Sequence, residues 1–386
     1  MAGFVFNTPA RIVCAAGASG QVGEQFRAAG VERVLVVTDA GVARAGGLAI
    51  VLEALRAAGV AHRVFQEVPR DPSEETVMAA AAAAVEMGAQ GVLGLGGGSA
   101  LDVAKLAALL ATGHDALPEI YGTGLATGPR LPLILIPTLA GSGAEVTPLA
   151  VVVAGGEKKS VIASCLIADS ALLDVDLTLT APLAETAAAG AGAVALAVEA
   201  FTSANANANP LSQSLAEGGL GLLAWSLPLT VQDGTDRRAR QALLSASLMV
   251  GQAFANAPVG AAHALAYPLC VRHGLPSGLA TALLLPHVVR FNTPVAGHAY
   301  AGLLDRLFPE APDVGDSAVR ADAFAARLGR FLSLIGLPES LKEAGIPQTD
   351  LAGLAAAAQR QTRLLANNPR PLLAQDIIAI YKAAWG

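Results

Sequence analysis

Two glycine-rich runs carry the clearest chemistry in this chain of 386 residues. The first, Gly94-Leu95-Gly96-Gly97-Gly98-Ser99-Ala100-Leu101-Asp102, begins where a strand-like run ends and a helix-like one starts. Glycines at such a junction let backbone approach a pyrophosphate, and the helix N-terminus offers it unpaired N–H groups and a partial positive charge. The second, Pro137-Thr138-Leu139-Ala140-Gly141-Ser142-Gly143-Ala144-Glu145-Val146-Thr147, brings hydroxyls and backbone N–H groups to the end of another strand. Asp39, in Thr38-Asp39-Ala40-Gly41, can accept hydrogen bonds from ribose hydroxyls and would repel the extra phosphate of NADP; this favours NAD, with NADP as the alternative. Plainer readings stand beside these. Ser99 and Asp102 have the spacing of a capping box, Asp39 suits a turn or helix cap, and glycine clusters are often only tight turns. Two such loops after strands of one domain favour the dinucleotide.

The elements that must position these loops are legible as alternating apolar runs and helical segments. Residues 33–38 read as a buried strand, 47–58 as a helix and 62–68 as a strand. A helix at 73–87, a strand at 91–95, a helix at 101–111 and a strand at 131–136 follow, and 149–154 with 158–163 form a hairpin turned at Gly155-Gly156. This alternation predicts an α/β domain with a parallel sheet, residues 1–180. Beyond Leu179-Thr180-Ala181-Pro182 the pattern is helical and rich in Ala and Leu, so residues 181–386 are expected to form an all-helical domain. Asn205 to Pro210 is a polar loop there, and the Asn367-Asn368-Pro369-Arg370-Pro371 run is a second one before the last helix.

Composition removes several classes of function. The chain is 53% hydrophobic and 15% charged, with a mean hydropathy of +0.52. Its most apolar stretch, residues 131–155, is cut by prolines, glycines and Glu145, so no membrane partner is expected. A net charge of -6 spread along the chain argues against nucleic acid. Cys14, Cys165 and Cys270 are far apart and suggest neither disulfides nor a zinc knuckle. The start of the chain lacks the pattern of a signal peptide, so a cytoplasmic protein is expected, and the apolar content suggests a homo-oligomer.

The runs GGGSALDVAK, IPTLAGSGAEVT, Lys159-x-x-Ile162, DVDLTLTAP, AHALAYPL and NPRP resemble, in order and spacing, the iron-containing (group III) alcohol dehydrogenases, and more distantly the maleylacetate reductases. The resemblance covers nearly the whole chain. It implies the dehydroquinate synthase-like fold, an active site in the cleft between the domains, and NAD(P)-dependent interconversion of an alcohol and a carbonyl compound. It also implies cofactor contacts at Asp39, Gly96, Gly97, Gly98, Ser99, Asp102, Thr138, Ser142, Lys159 and Leu179.

The same resemblance exposes a gap. The family holds its metal with one Asp and three His, the first pair in a Gly-x-Asp-x-x-x-His-Ala-x-Glu-Ala pattern. Here Gly192 stands for the Asp and Leu196 for the His. Of the second pair, His263 is kept, whereas Ser277 replaces the His of Pro-His-Gly. A single imidazole cannot compete with water for a divalent ion, so no bound metal is expected. Something else must then stabilise the developing alkoxide. Tyr267 occupies the position of a family histidine near the nicotinamide, and a phenol of ordinary pKa ~10 can donate to such an oxygen. His273, expected in a loop near the cleft, is the second candidate donor. Two readings follow: a metal-independent reductase of a small activated carbonyl compound, or a dinucleotide-binding relative without dehydrogenase activity.

Overall fold

In the computed structural model the described residues are 3–311 and 315–386. They fall into two units, Asn7–Ala181 and Pro182–Gly386, the second including the start of the chain up to Phe6. That short stretch is held by Asn207, whose Oδ1 accepts from the Val5 N–H at 2.9 Å and whose Nδ2 donates to the Val5 carbonyl at 2.9 Å.

The first unit contains β1 (Arg11–Cys14), β2 (Arg33–Val37), β3 (Ala61–Phe65), β4 (Gly91–Gly96), β5 (Gly122–Thr123), β6 (Leu133–Pro137), β7 (Leu149–Ala154), β8 (Glu157–Ile162) and β9 (Ser170–Leu173). Six of them form a parallel sheet in the order β1-β9-β6-β4-β2-β3. Its helices are α1 (Val22–Ala28), α2 (Ala40–Arg44), α3 (Gly47–Ala57), α4 (Glu74–Glu86) and α5 (Gly98–Leu110). The two central strands, β4 and β6, are apolar and buried at every position because both faces are covered. Val34, Val36, Leu93, Leu95 and Ile136 meet Phe26, Val51 and Leu55, while Leu35, Val37, Val92, Leu133 and Leu135 meet Val77, Leu101 and Leu109. The predicted hairpin is present as β7 and β8, paired antiparallel beside β5, and Gly155 and Gly156 turn it at φ 61° and 78°.

The chain runs from β2 outward to β3, then returns to place β4 on the other side of β2. The ends of β2 and β4 therefore flank a point where the winding reverses, the usual place for a ligand in an open parallel sheet. Strands β1 and β9 were not anticipated from the pattern; β1 has only four residues and its ends are exposed. Helix α5 begins at Gly98, three residues before the expected start at Leu101.

The second unit holds α6 (Leu183–Phe201), α7 (Pro210–Gln232), α8 (Arg237–Asn256), α9 (Ala261–His273), α10 (Ser277–Leu307), α11 (Ser317–Leu334), α12 (Leu351–Gln359), α13 (Thr362–Leu365) and α14 (Ala374–Trp385), with no strand among its described residues. Helix α6 packs against α7, α8 and α10. It is long and apolar enough to cross a membrane, a property that reading 131–155 alone overlooked, and 78% of its most apolar window is buried within the fold. Small residues let its neighbours come close. A β-carbon on Gly192 would lie 2.6 Å from the Cα of Gly278, and one on Gly278 would lie 2.1 Å from the Ala188 carbonyl oxygen. Since backbone, not a flexible side chain, fills these places, Gly278→Ala must push α10 from α6. The expected cost is about 1–3 kcal/mol for overpacking, seen as a Tm lowered by several degrees in a thermal melt; an unchanged Tm would contradict this contact.

Candidate active site

In the α/β unit, three loops converge. Asp39 N-caps α2 by accepting from the N–H groups of Gly41 (2.8 Å) and Val42 (3.0 Å) through Oδ1. The capping role read from sequence is thus real, yet Oδ2 turns toward Gly96, 3.1 Å from where a β-carbon would stand. Gly96 has φ 150°, and a β-carbon there would also lie 2.8 Å from that of Ala100, so only glycine fits. The Thr138 N–H donates to the Gly96 carbonyl at 3.0 Å, tying the second glycine loop to the first. Ser142 Oγ comes within 3.0 Å of a β-carbon position on Gly98, and it accepts from the Ala144 N–H at 3.3 Å. Gly97 faces open space.

The capping box expected of Ser99 and Asp102 is not formed. Gly97 is the N-cap of α5 and gives no side-chain hydrogen bond, so the first N–H groups of this helix of 13 residues are not capped by a side chain. Ser99 lies inside the first turn, half-buried. Such a junction can hold a pyrophosphate. Asp102 is too deep in the helix to cap it and instead accepts from the Val151 N–H at 3.0 Å. Its Oδ1 is 3.5 Å from Lys105 Nζ, which donates to Thr147 Oγ1 at 3.1 Å and to the Leu149 carbonyl at 2.7 Å. Lys105 is fully buried and stitches α5 to the end of the second glycine loop. Burial lowers its pKa, against the pull of Asp102 and Glu145, and burial raises that of Asp102.

Lys159 and Leu179 are less closely tied to this cluster. Lys159 is exposed, with Nζ 5.1 Å from the centre of the Tyr121 ring. Alternation along β8 sends the adjacent Lys158 to the other face, where it is buried and pairs with Asp71 at 2.7 Å. Leu179 is half-buried near the end of the unit. The sequence reading missed Asp71 and Lys158. Asp71 is the non-glycine residue with positive φ (51°) among the described residues, a conformation that clusters at functional sites; the Asp71-Pro72 pair after a strand was the available signal.

In the helical unit, the four positions that the resemblance assigns to metal do not make a metal site. Gly192 is closed off by the Gly278 backbone, Leu196 is buried and apolar, and Ser277 opens α10. No group of three or more His, Cys, Asp and Glu suited to an ion occurs among the described residues. The donors present do not fit a resident iron or zinc. His263, in the first turn of α9, instead faces Glu199 of α6 through Nδ1, and the other carboxylate oxygen accepts from the Ala262 N–H at 2.7 Å. Tyr267, one turn further along α9, is buried. His273 sits not in a loop but in the last turn of α9, with Nε2 3.4 Å from Asp350 Oδ2. The rise of a helix puts it about 9 Å along the axis from Tyr267, so this unit does not gather the two candidate donors.

Two predictions follow from the α/β unit. Replacing Asp39 with Ser is expected to weaken NADH while sparing NADPH, moving the ratio of their dissociation constants by about 10-fold, as expected for loss of one charge-assisted hydrogen bond. A fluorescence titration with both nucleotides measures it, and an unchanged ratio would remove Asp39 from ribose recognition. Glu145, buried with Oε1 unpartnered, has its pKa pushed up to about 7 by burial, against its own backbone N–H and Lys105. Because the folded value exceeds the unfolded one, its contribution to stability is full below the unfolded pKa, about 4.5, and is lost as pH rises through about 7. Glu145→Gln should therefore gain in Tm relative to the native protein by several degrees more at pH 8 than at pH 5, as read by parallel melts; equal differences at both would contradict it.

Comparison with known proteins finds matches along both units. A family model described as "Iron-containing alcohol dehydrogenase" matches residues 9–175, and one described as "Fe-containing alcohol dehydrogenase family, C-terminal" matches residues 186–385. Long-chain-alcohol dehydrogenase 1 of Geobacillus thermodenitrificans is 38% identical over 96% of this chain and 93% of its own. A crystal structure of 1,3-propanediol oxidoreductase superposes with a TM-score of 0.93 at 30% identity, covering 100% of both chains. The sulfoacetaldehyde reductase of Bifidobacterium kashiwanohense, solved in complex with NAD+, gives a TM-score of 0.88 at 26% identity, covering 100% of this chain and 99% of its own.

Proposed function

This chain belongs to the iron-containing alcohol dehydrogenase family and is an NAD-linked oxidoreductase of alcohols and carbonyl compounds, and from that premise we propose that it reduces a small activated aldehyde or ketone without a resident metal ion. The observation that carries the proposal is the donor set of the helical unit. Three of the four family ligand positions are Gly192, Leu196 and Ser277, and the carboxylate position is occupied up to its Cα by the backbone of Gly278.

The dinucleotide supplies the hydride when bound. The protein's own residues do the rest. The N–H groups at the start of α5, with Ser99 and the Gly96-Gly97-Gly98 backbone, hold the pyrophosphate; Asp39 reads a ribose; Thr138 and Ser142 line the second loop. Lys105 fixes the spacing of the two loops. On α9, Tyr267 is a hydrogen-bond donor for the substrate oxygen, and an activated carbonyl, already electron-poor, suits a site that offers hydrogen bonds where relatives use a Lewis acid. His273, 3.4 Å from Asp350 in the last turn of α9, is the lesser candidate.

The direct test is metal analysis of protein purified without chelator, alongside turnover with NADH across a panel of small aldehydes and ketones before and after dialysis against EDTA. We expect far less than one ion per chain and turnover unchanged by EDTA. A stoichiometric ion whose removal abolishes turnover would overturn the proposal.

A further inference from the structure

The pairing of Glu199 with His263 is the feature that the reading above leaves unused. Glu199 projects from α6 and is 6% exposed, and both its carboxylate oxygens are engaged, one by the Ala262 N–H at 2.7 Å and one by His263 Nδ1. The first turn of α9 is thereby fixed to α6, and the positive end of the helix helps to hold the buried carboxylate. With Nδ1 occupied, the imidazole has one orientation and presents Nε2 away from Glu199. That nitrogen has no hydrogen-bond partner among the described residues, and the side chain is 12% exposed. A carboxylate accepts the Nδ1 proton, so Nε2 is an acceptor in the neutral ring and a donor in the imidazolium. Leu196, one turn before Glu199 on α6, is apolar and 7% exposed, so little competes for the pair.

Among the described residues, no other histidine is placed in this way. His287 is held neutral near pH 7 because burial, helped by Arg290, pulls its pKa down to about 4. His273 faces a carboxylate that is 43% exposed. A carboxylate fixing one imidazole nitrogen while the other stays open is the arrangement of a general acid–base dyad. Where a metal would be held, the same carboxylate would only orient a ligand; with Gly192, Leu196 and Ser277 at the other positions, the open nitrogen is left for substrate.

We propose that His263 is the proton donor of the reduction and that Glu199 is its positioning residue, an inference that rests on the metal-free reading above. The step starts from the imidazolium, with Nδ1–H on Glu199 and a second proton on Nε2: as hydride and its electron pair reach the carbonyl carbon from NADH, the C=O π pair moves to oxygen and takes the Nε2 proton. Alcohol and NAD+ result, and the neutral imidazole regains its proton from water; in the oxidation direction each transfer reverses.

The experiment compares native protein, His263→Ala and Glu199→Gln by NADH titration and by steady-state reduction of the best carbonyl compound found, with and without added imidazole. We expect both variants to bind NADH as the native protein does. We expect kcat to fall by about 100-fold or more in His263→Ala, within the usual range for a general acid, and to recover in part with imidazole. Glu199→Gln, nearly isosteric, should lower kcat with KM changed only a few-fold and should not respond to imidazole. His263→Ala turning over within about 3-fold of native, or losing turnover without rescue while Glu199→Gln stays native, would overturn the dyad. Native protein that binds NADH but reduces nothing would instead sink the proposed function and this inference with it, and a stoichiometric ion lost on replacing His263 would return that residue to a ligand's role.

Discussion

Two helices of the helical unit meet so closely at Gly192 and Gly278 that a β-carbon on either would run into backbone of the other. A backbone contact of this kind cannot be relieved by a rotamer change, so it governs what chemistry the neighbouring positions can do. A carboxylate at position 192 has no room, and without it an ion at His263 would have water for company. Leu196 and Ser277 then carry no coordinating duty. Of the four positions only His263 keeps a polar ring, held by Glu199, and Glu199 also borders a cavity lined by Thr202, Asn292, Tyr300, Asn367 and Asn368. Tyr300, buried and hydrogen-bonded to Asn292 at 3.2 Å, has its phenol pushed up to about 12, chiefly by burial, and stays protonated there.

Close approach serves the opposite end in the α/β unit. Gly96 and Gly98 bring Asp39 and Ser142 against one stretch of backbone, and the space beside Gly97 stays open. Beneath that stretch lies a layer of buried charge, with Lys105 between Asp102 and the second glycine loop and Lys158 paired to Asp71. Opposite charges compensate one another's desolvation only at short range, so the layer holds the loops at fixed spacing. In one unit glycines leave space open; in the other they close it.

Much of this was legible in the sequence. The alternation of period-2 and period-3.6 apolar patterns gave the parallel sheet, its order of helices and the helical second half, because strands buried on both faces and helices of Ala and Leu leave strong compositional marks. The glycine loops and Asp39 were read as a dinucleotide site because few other residue types suit a strand-to-helix junction meant for a phosphate, and the structure brings these loops together. The start of α5 was misplaced by the Ser99–Asp102 spacing: a glycine N-cap leaves no side-chain signal, and Asp102 serves β7 and Lys105 instead. Lys159 drew notice through its motif, whereas the side of the sheet on which Lys158 meets Asp71 depends on a register that no local pattern prints. Glu199 falls at the Glu of the Gly-x-Asp-x-x-x-His-Ala-x-Glu-Ala pattern and drew no role there, since its partner lies 64 residues away. His273 was read as a loop residue because the end of α9 at Gly274, in the left-handed conformation, comes later than the apolar pattern suggests.

The absence of a metal role for His263 is the claim on which the rest turns, and crystals grown with NAD in the presence of iron or zinc would test it most directly. Anomalous difference maps at the edges of these metals should show no peak within coordination distance of His263 Nε2, about 2.0–2.1 Å for zinc. A peak there, completed by other donors from this chain, would contradict the account.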